Sequence, residues 1–361
     1  MIITYIHSNH PADNFRVQSR CRNFADAINR LGWHSANLLD LDSFIQNTPE
    51  AQQKCSGSDL IVLHRYLYGP VLQTIEYWKA RDKKIVVDFD QAINYLTSDI
   101  PCHSFWLRKN PLEDILKGMP VDSTPLEQFK CGLGLIDAAI VSSTRLMIDW
   151  LPFTEVYEVP DFLNTDQYPA FKQAHENEIW VGLANNSRFT SLKNSGLLNA
   201  LEKVCRSRPQ VKLILSDLQC EAGRTLNIPA SQVVTYPPGS FEDWADILLK
   251  LDIGLVPVHG DYDLRLGRIN LLEFMISKTP WIASDQSCFR EFARYGKLTQ
   301  NLSGVWEVVI LKVVDNIDII QKRAAGEPFL YALSQDVHEN IDKVLRLYTH
   351  ILNQKQRSGA R

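Results

Sequence analysis

Residues 261–285 read DYDLRLGRINLLEFMISKTPWIASD. Within the helix pattern at 268–277 one carboxylate, Glu273, sits among Leu271, Leu272 and Phe274, and Arg265, Arg268 and Asn270 crowd the turns before it. This composition suits a loop that turns into a helix. The first amides of a helix lack partners and carry the positive end of its dipole, so they attract phosphate. The arginines add charge, and a carboxylate accepts hydrogen bonds from sugar hydroxyls. Together these groups describe a nucleoside diphosphate site. The plainer account of Glu273 is an acid near a helix start, stabilised by the dipole alone.

Other groups compete for chemical roles. Three D-x-D triplets occur, Asp40/Asp42, Asp88/Asp90 and Asp261/Asp263. So short a pattern recurs by chance; Asp88 and Asp90 are better placed, because they end a strand at the edge where an α/β sheet binds ligands, with loop capping as their alternative reading. His7 and His10 have H-x-x-H spacing without a third ligand nearby, which favours a polar loop over a metal site. His64-Arg65 follows another apolar run and reads as a cationic pair that meets an anionic ligand or is simply solvated. Glycine is absent after the first strand pattern, and VGLANNSRF carries only Gly182, so a nicotinamide or flavin fingerprint is not expected. No H-E-x-x-H, G-x-S-x-G or P-loop is present.

These residues need elements to hold them. Apolar runs at 2–6, 35–41, 60–64, 84–89, 138–142 and 155–159 predict strands, with helices over 16–31, 70–81, 125–136 and 143–150. The segment 159–178 carries Pro160, Pro169 and no periodicity, as a linker would. The alternation then restarts, with strands at 178–183, 211–216, 232–236, 252–258 and 280–284 and helices over 191–206, 241–250, 268–277 and 286–294. Helices over 303–323 and 330–354 follow. Strand–helix alternation implies parallel sheets wrapped by helices. The expected fold is α/β, with two Rossmann-like parallel-sheet domains facing a central cleft: 1–160, a linker 161–177, and 178–329.

Length and composition agree. A chain of 361 residues is long for one core, and 45% hydrophobic with 22% charged residues is ordinary for a globular protein. The net charge of -4 supplies no drive towards nucleic acid, so no nucleic-acid partner is expected. Seven scattered cysteines without a C-x-x-C pair fit a reducing compartment. The start MIITYIHSNH lacks the features of a signal peptide, so a cytoplasmic protein is expected.

On these residues the sequence resembles a retaining glycosyltransferase of the GT-B fold, in the large family four of sugar-nucleotide-dependent enzymes. DIGLVPVHGDYDLRLGRINLLEFMISKTPWIASDQSCFRE is similar to that family's block of aspartate-strand-proline, basic loop, K-x-L-E-[YF]-M-A and G-x-P-x-[IV]-A-S. FEDWADILLKLDIGLVP, NFRVQSRCRNFADAINRLGW, KKIVVDFDQAI and VYEVPDFLNTDQY are similar to its other blocks, in order. The resemblance implies that Glu273 binds the ribose and that Arg265, Arg268 and Asn270 meet the diphosphate. It implies that Arg16 and Asp88 or Asp90 line the acceptor side, where His64 and Arg65 also fall, and that the helix within 330–361 packs back on the first domain. Asn270 stands where the family usually has lysine, Arg265 where it often has glutamate, and Gln91 in place of the last acid of D-x-D-D. Asparagine donates a hydrogen bond but supplies no charge, so Arg265, Arg268, Arg188 or Lys193 would have to compensate at the donor site beside Gly182.

The resemblance implies transfer of a sugar from a nucleotide-diphosphate sugar to a hydroxyl of a glycan or lipid-linked acceptor. Retention is implied, with positive side chains in place of a bound metal and with no cofactor beyond the sugar nucleotide itself. Two rivals stay open: a catalytically silent GT-B protein acting as a scaffold, and a sugar-nucleotide epimerase. The segment PCHSFWLRKNP mixes Trp106 with Arg108 and Lys109. It would either rest peripherally on the inner face of a membrane or serve as a buried loop anchor.

Overall fold

A strand with no polar face is stable only in a sheet covered on both sides. Leu60–His64 is such a strand, and in the computed structural model all of its residues are buried. The structure describes residues 1–10, 14–100, 102–108, 123–168, 171–173, 175–184, 187–216, 225–236 and 241–354. It divides into two compact units, Met1–Asp161 together with the chain from Val337 onward, and Phe162–Asp336.

The first unit is built on strands β1 (Ile2–His7), β2 (Ser35–Asp40), β3 (Leu60–His64), β4 (Lys84–Phe89), β5 (Ala138–Val141) and β6 (Val156–Glu158). Their order is β2-β1-β3-β4-β5-β6 and every pairing is parallel. The direction of progression reverses between β1 and β3, the kind of switch point beyond whose carboxyl strand ends open α/β sheets bind ligands. The helix Val337–Asn353 buries Val337, Asn340, Ile341, Val344, Leu345, Tyr348 and Ile351, a stripe at helical spacing. That stripe packs on the helix Asn23–Leu31, and the hydroxyls of Tyr348 and Tyr5 lie 3.0 Å apart in the core. The expected return of the C-terminal helix to the first unit is present.

The second unit holds β7 (Ile179–Leu183), β8 (Val211–Ser216), β9 (Val233–Tyr236), β10 (Ile253–Val256), β11 (Trp281–Ser284) and β12 (Lys297–Thr299). The order β12-β11-β10-β7-β8-β9, read backwards, is the 3-2-1-4-5-6 arrangement of nucleotide-binding folds. Its switch point lies between β7 and β10. Two strand glycines allow close packing there. A methyl group on Gly254 would lie 2.6 Å from the Phe274 ring, and one on Gly182 would lie 2.5 Å from Leu251.

Several elements differ from expectation for local reasons. The helix expected over 16–31 contains a π-helical turn, Gln18–Arg22. The one expected over 191–206 breaks at Gly196, whose φ of 79° is left-handed. The helix expected over 286–294 is a 3-10 turn, Arg290–Phe292. β12, with only three residues, is too short to show a period and was not expected. The long terminal helix is two, Glu327–Leu333 and Val337–Asn353. Between them Asp336 accepts hydrogen bonds from the backbone N–H and hydroxyl of Thr165.

Candidate functional sites in the two units

In the second unit the loops after β7 and β10 are joined through one buried acid. Asp263 receives Arg188 at 2.9 Å from Nε and 2.7 Å from Nη2, the Ser191 hydroxyl at 2.5 Å and the His259 N–H at 3.0 Å. Arg188 is the residue before the helix Phe189–Asn194, and its guanidinium also lies over the Tyr262 ring. The end of β11 joins the same edge: Ser284 donates to Asn301 and accepts the Val258 N–H. Sequence reasoning named Arg188 without its partner. The Asp261/Asp263 triplet was the available signal: both lie in the helix Gly260–Asp263, which leaves Asp261 exposed and buries Asp263.

The helix Ile269–Ile276 follows, with Arg268 as its N-cap residue. Glu273 is its fifth residue, beyond the first turn, so the dipole account loses its basis. The carboxylate is 6% exposed. Trp244 donates its indole N–H to Oε2 at 3.1 Å, and the Tyr168 hydroxyl donates to Oε1 at 3.4 Å. Burial, then the neighbouring Glu273 charge, raises the Tyr168 pKa well above its usual value, so this hydroxyl stays a donor. Arg265 is buried and bonds the Asp261 carbonyl at 2.7 Å. Arg268 reaches Gln335 at 2.8 Å and the Tyr331 hydroxyl at 3.3 Å. Asn270 is buried in the first turn, Lys193 is exposed, and Gly182 makes room for Leu251. Tyr168 and Trp244 were not singled out from the sequence, although each lies in a segment that the resemblance covers.

The first unit treats its acids differently. Arg20, not picked out from the sequence, grips Asp88 with both ends of its fork: Nε to Oδ1 at 2.9 Å and Nη2 to Oδ2 at 2.8 Å. Both side chains are 1% exposed. Arg20 also donates to the Val159 carbonyl at 2.7 Å and lies 3.6 Å from Asp161. Burial opposes its charge, but the attraction of Asp88 and then Asp161 outweighs it and raises the guanidinium pKa. Arg16 and Arg20 are four residues apart, the spacing that places two side chains on one helix face, and Arg20 sits in the π-helical turn. That spacing was a legible signal.

Asp90, just past β4, remains partly exposed, with Arg16 at 3.3 Å and Arg65 at 3.9 Å. Burial works against its ionisation, yet Arg16, then Arg65, hold its pKa down to about 2. Arg65 has a φ of 68°, and the Tyr66 N–H bonds the His64 carbonyl across it at 2.9 Å, a strained γ-turn geometry. The expectation of a cationic His64-Arg65 pair is corrected here. His64 is 1% exposed, and burial, followed by the repulsion of Arg65, lowers its pKa well below 6.5, so the imidazole is neutral. Neither ring nitrogen has a hydrogen-bond partner among the described residues. His7 is buried and near the Ser8 carbonyl, His10 is exposed, and Asp40 caps the helix Leu41–Gln46.

The membrane segment resolves in part. Trp106 is buried against Tyr68, Phe105 and Phe129, as a loop anchor would be. Arg108 is exposed, and residues 109–111 lie outside the described residues. Among the described residues no helix is long and apolar enough to cross a membrane.

No family model matches the sequence, and no curated protein does. Solved structures match in shape. Sucrose-phosphate synthase from Thermosynechococcus elongatus has a TM-score of 0.62 at 12% identity, covering 97% of this chain and 99% of that one. The Anabaena protein HepE, solved with UDP-glucose, has a TM-score of 0.61 at 12% identity, with coverage of 97% and 99%. A Listeria monocytogenes protein described as a UDP-N-acetylglucosamine 2-epimerase scores 0.55 at 11% identity, with coverage of 100% and 99%. At these identities the likeness shows the fold. The chain has the two-domain GT-B architecture, shared by glycosyltransferases and epimerases of sugar nucleotides.

Proposed function

We propose that this chain is a retaining glycosyltransferase that moves a sugar from a nucleoside diphosphate to a hydroxyl of a glycan or lipid-linked acceptor. The observation that carries the reading is Glu273. It is a buried carboxylate on the helix that follows β10, in a sheet with the 3-2-1-4-5-6 order. In this reading Glu273 accepts the ribose hydroxyls. Each oxygen of a carboxylate has two lone pairs and can accept more than one donor at once. The start of the Ile269–Ile276 helix, with Arg265, Arg268 and Asn270, takes the diphosphate, and Arg188 and Lys193 belong to the same donor side.

The chemistry asks for charge stabilisation rather than a protein nucleophile. The bond from the sugar's anomeric carbon to the diphosphate breaks on one face, and the acceptor oxygen bonds to that carbon on the same face. The hydroxyl proton passes to a phosphate oxygen. Positive side chains and helix amides stabilise the departing diphosphate, and the reading needs no metal for that work. On the acceptor side the two acids separate. Asp88 is committed to Arg20, whereas Asp90 is ionised and partly exposed. A carboxylate with a pKa near 2 is a poor base at neutral pH, so Asp90 orients the acceptor hydroxyl rather than deprotonating it. Arg16, Arg65 and neutral His64 complete that side.

The test is calorimetric titration with UDP, GDP, ADP and CDP without added metal, on wild type and Glu273→Ala. One nucleotide should bind, and the variant should lose at least about tenfold in affinity, as expected when a charged acceptor of hydroxyl bonds is deleted. Release of that nucleoside diphosphate from its sugar conjugate should require an acceptor. Conversion of the sugar nucleotide without acceptor would favour an epimerase, which the likeness to the Listeria protein keeps in view. Absence of nucleotide binding would favour a silent scaffold, for which Asn270 is the sequence argument.

A further inference from the structure

We infer that Lys172 is a modification site whose amine takes an acyl group from a small acyl phosphate. The inference concerns another part of the second unit and stands apart from the function proposed above. Lys172 belongs to the segment 171–173, which is fastened to the ends of two helices. The Gln173 N–H bonds the Leu249 carbonyl at 3.1 Å, near the end of the helix Phe241–Lys250. Lys172 Nζ donates to the Thr279 hydroxyl at 3.0 Å and to the Lys278 carbonyl at 3.3 Å, just past the helix Ile269–Ile276.

The number and kind of these acceptors decide which form of the amine suits the site. An ammonium carries three N–H donors, whereas a neutral amine has two and a lone pair. Both acceptors are uncharged, and among the described residues no carboxylate pairs with this nitrogen. The neutral amine therefore keeps both hydrogen bonds and has its lone pair to spare. Other lysines are held differently: Lys79 and Lys84 meet Asp137 at 2.6 and 3.1 Å, and Lys203 meets Glu307 at 3.1 Å. An acid at that distance favours the protonated form. The helix-end carbonyls near Lys172 are already in use. Leu248 and Leu251 face the Thr279 hydroxyl at 3.4 and 3.2 Å, and Lys250 takes His175 Nε2 at 2.9 Å. Asp252, whose charge favours the ammonium, receives the Trp180 N–H at 2.8 Å and Gln321 at 2.7 Å. Burial outweighs that charge and pushes the Lys172 amine down to about 8. The side chain is only half-buried, and Phe171 and Gln173 beside it are exposed, so a small electrophile has access. In the reaction the lysine nitrogen bonds the acyl carbon as the bond from that carbon to the phosphate oxygen breaks. Inorganic phosphate leaves with the electron pair, and the nitrogen gives up a proton to water. The amide product retains one N–H, so the segment loses one of its two bonds and its positive charge.

The experiment treats the intact wild-type chain with limiting acetyl phosphate from about pH 6.5 to about pH 10.5 and reads the label on each lysine by peptide mass spectrometry. A fall from 10.5 to about 8 raises the neutral fraction at about pH 7.5 by roughly 200-fold. Weaker nucleophilicity and partial burial offset much of that gain. Lys172 should therefore be labelled about tenfold faster than the median lysine at about pH 7.5. Its rate should level off above about pH 8, while those of ordinary lysines keep rising. In the urea-unfolded chain it should return to the median. A rate at or below the median in the folded chain overturns the inference, as does a rate that still climbs beyond about pH 9.5. An excess that persists in urea also overturns it, because the folded arrangement would not be its cause.

Discussion

Both units carry a buried acid near the carboxyl edge of a parallel sheet, and they hold it in opposite ways. In the first, Asp88 is gripped by the guanidinium of Arg20, and each is 1% exposed. In the second, Glu273 is held by an indole N–H and a phenol. A bidentate ion pair satisfies an acid so fully that it becomes part of the framework. Neutral donors orient an acid but leave its charge to attract a further donor. On the function proposed above, the same residue class serves as scaffold in one unit and as a ligand group in the other.

The largest expected effect strikes the ion pair. Arg20→Met leaves Asp88 and Asp161 buried without their cation and should cost about 3–5 kcal/mol in urea unfolding. A loss below about 1 kcal/mol would mean that Asp88 is not framework after all. Next is the acid that joins the β7 and β10 loops. Asp263→Asn keeps the shape but removes the charge from Arg188, and should cost about 1.5–3 kcal/mol, the worth of a hydrogen bond to a charged group. Gly254→Ala pushes a methyl towards the Phe274 ring beside Glu273. Overpacking of that kind should cost about 1–3 kcal/mol and should weaken nucleotide binding in proportion to the helix shift.

The smallest effect is the response to pH. His64 has a folded pKa well below 6.5, so below that pH the unfolded chain binds the extra proton. Its contribution is therefore complete above about pH 6.5 and is lost as pH falls towards the folded value, with a slope of at most about 1.4 kcal/mol per pH unit for one proton. Asp90 acts later. Its folded pKa of about 2 lies below 3.8, so its contribution holds above about pH 3.8 and disappears as pH falls through 2. Thermal melts from about pH 8 to about pH 1.5 should show both windows, and His64→Phe should flatten only the upper one. An unchanged upper window in His64→Phe would assign it to another group.

Much of this was legible along the chain. Alternating apolar runs report a local property, burial on one or both faces of an element, and β1 through β11 appear within about two residues of expectation. The returning helix was expected from the family resemblance, and its apolar stripe is the surface that packs there. Glu273 stood out as an acid in an apolar run, and Asp90 as an acid past a strand end. What a linear reading could not supply were partners. Arg20 meets Asp88 across 68 residues, Arg188 meets Asp263 across 75, and Tyr168 meets Glu273 across 105. His64 looked like a cation until its burial was known, because charge state follows from solvation and neighbours rather than from residue type. Periodicity is written in neighbours along the chain and survives in one dimension. Which acid pairs with a guanidinium and which receives an indole and a phenol is settled by groups brought together through folding.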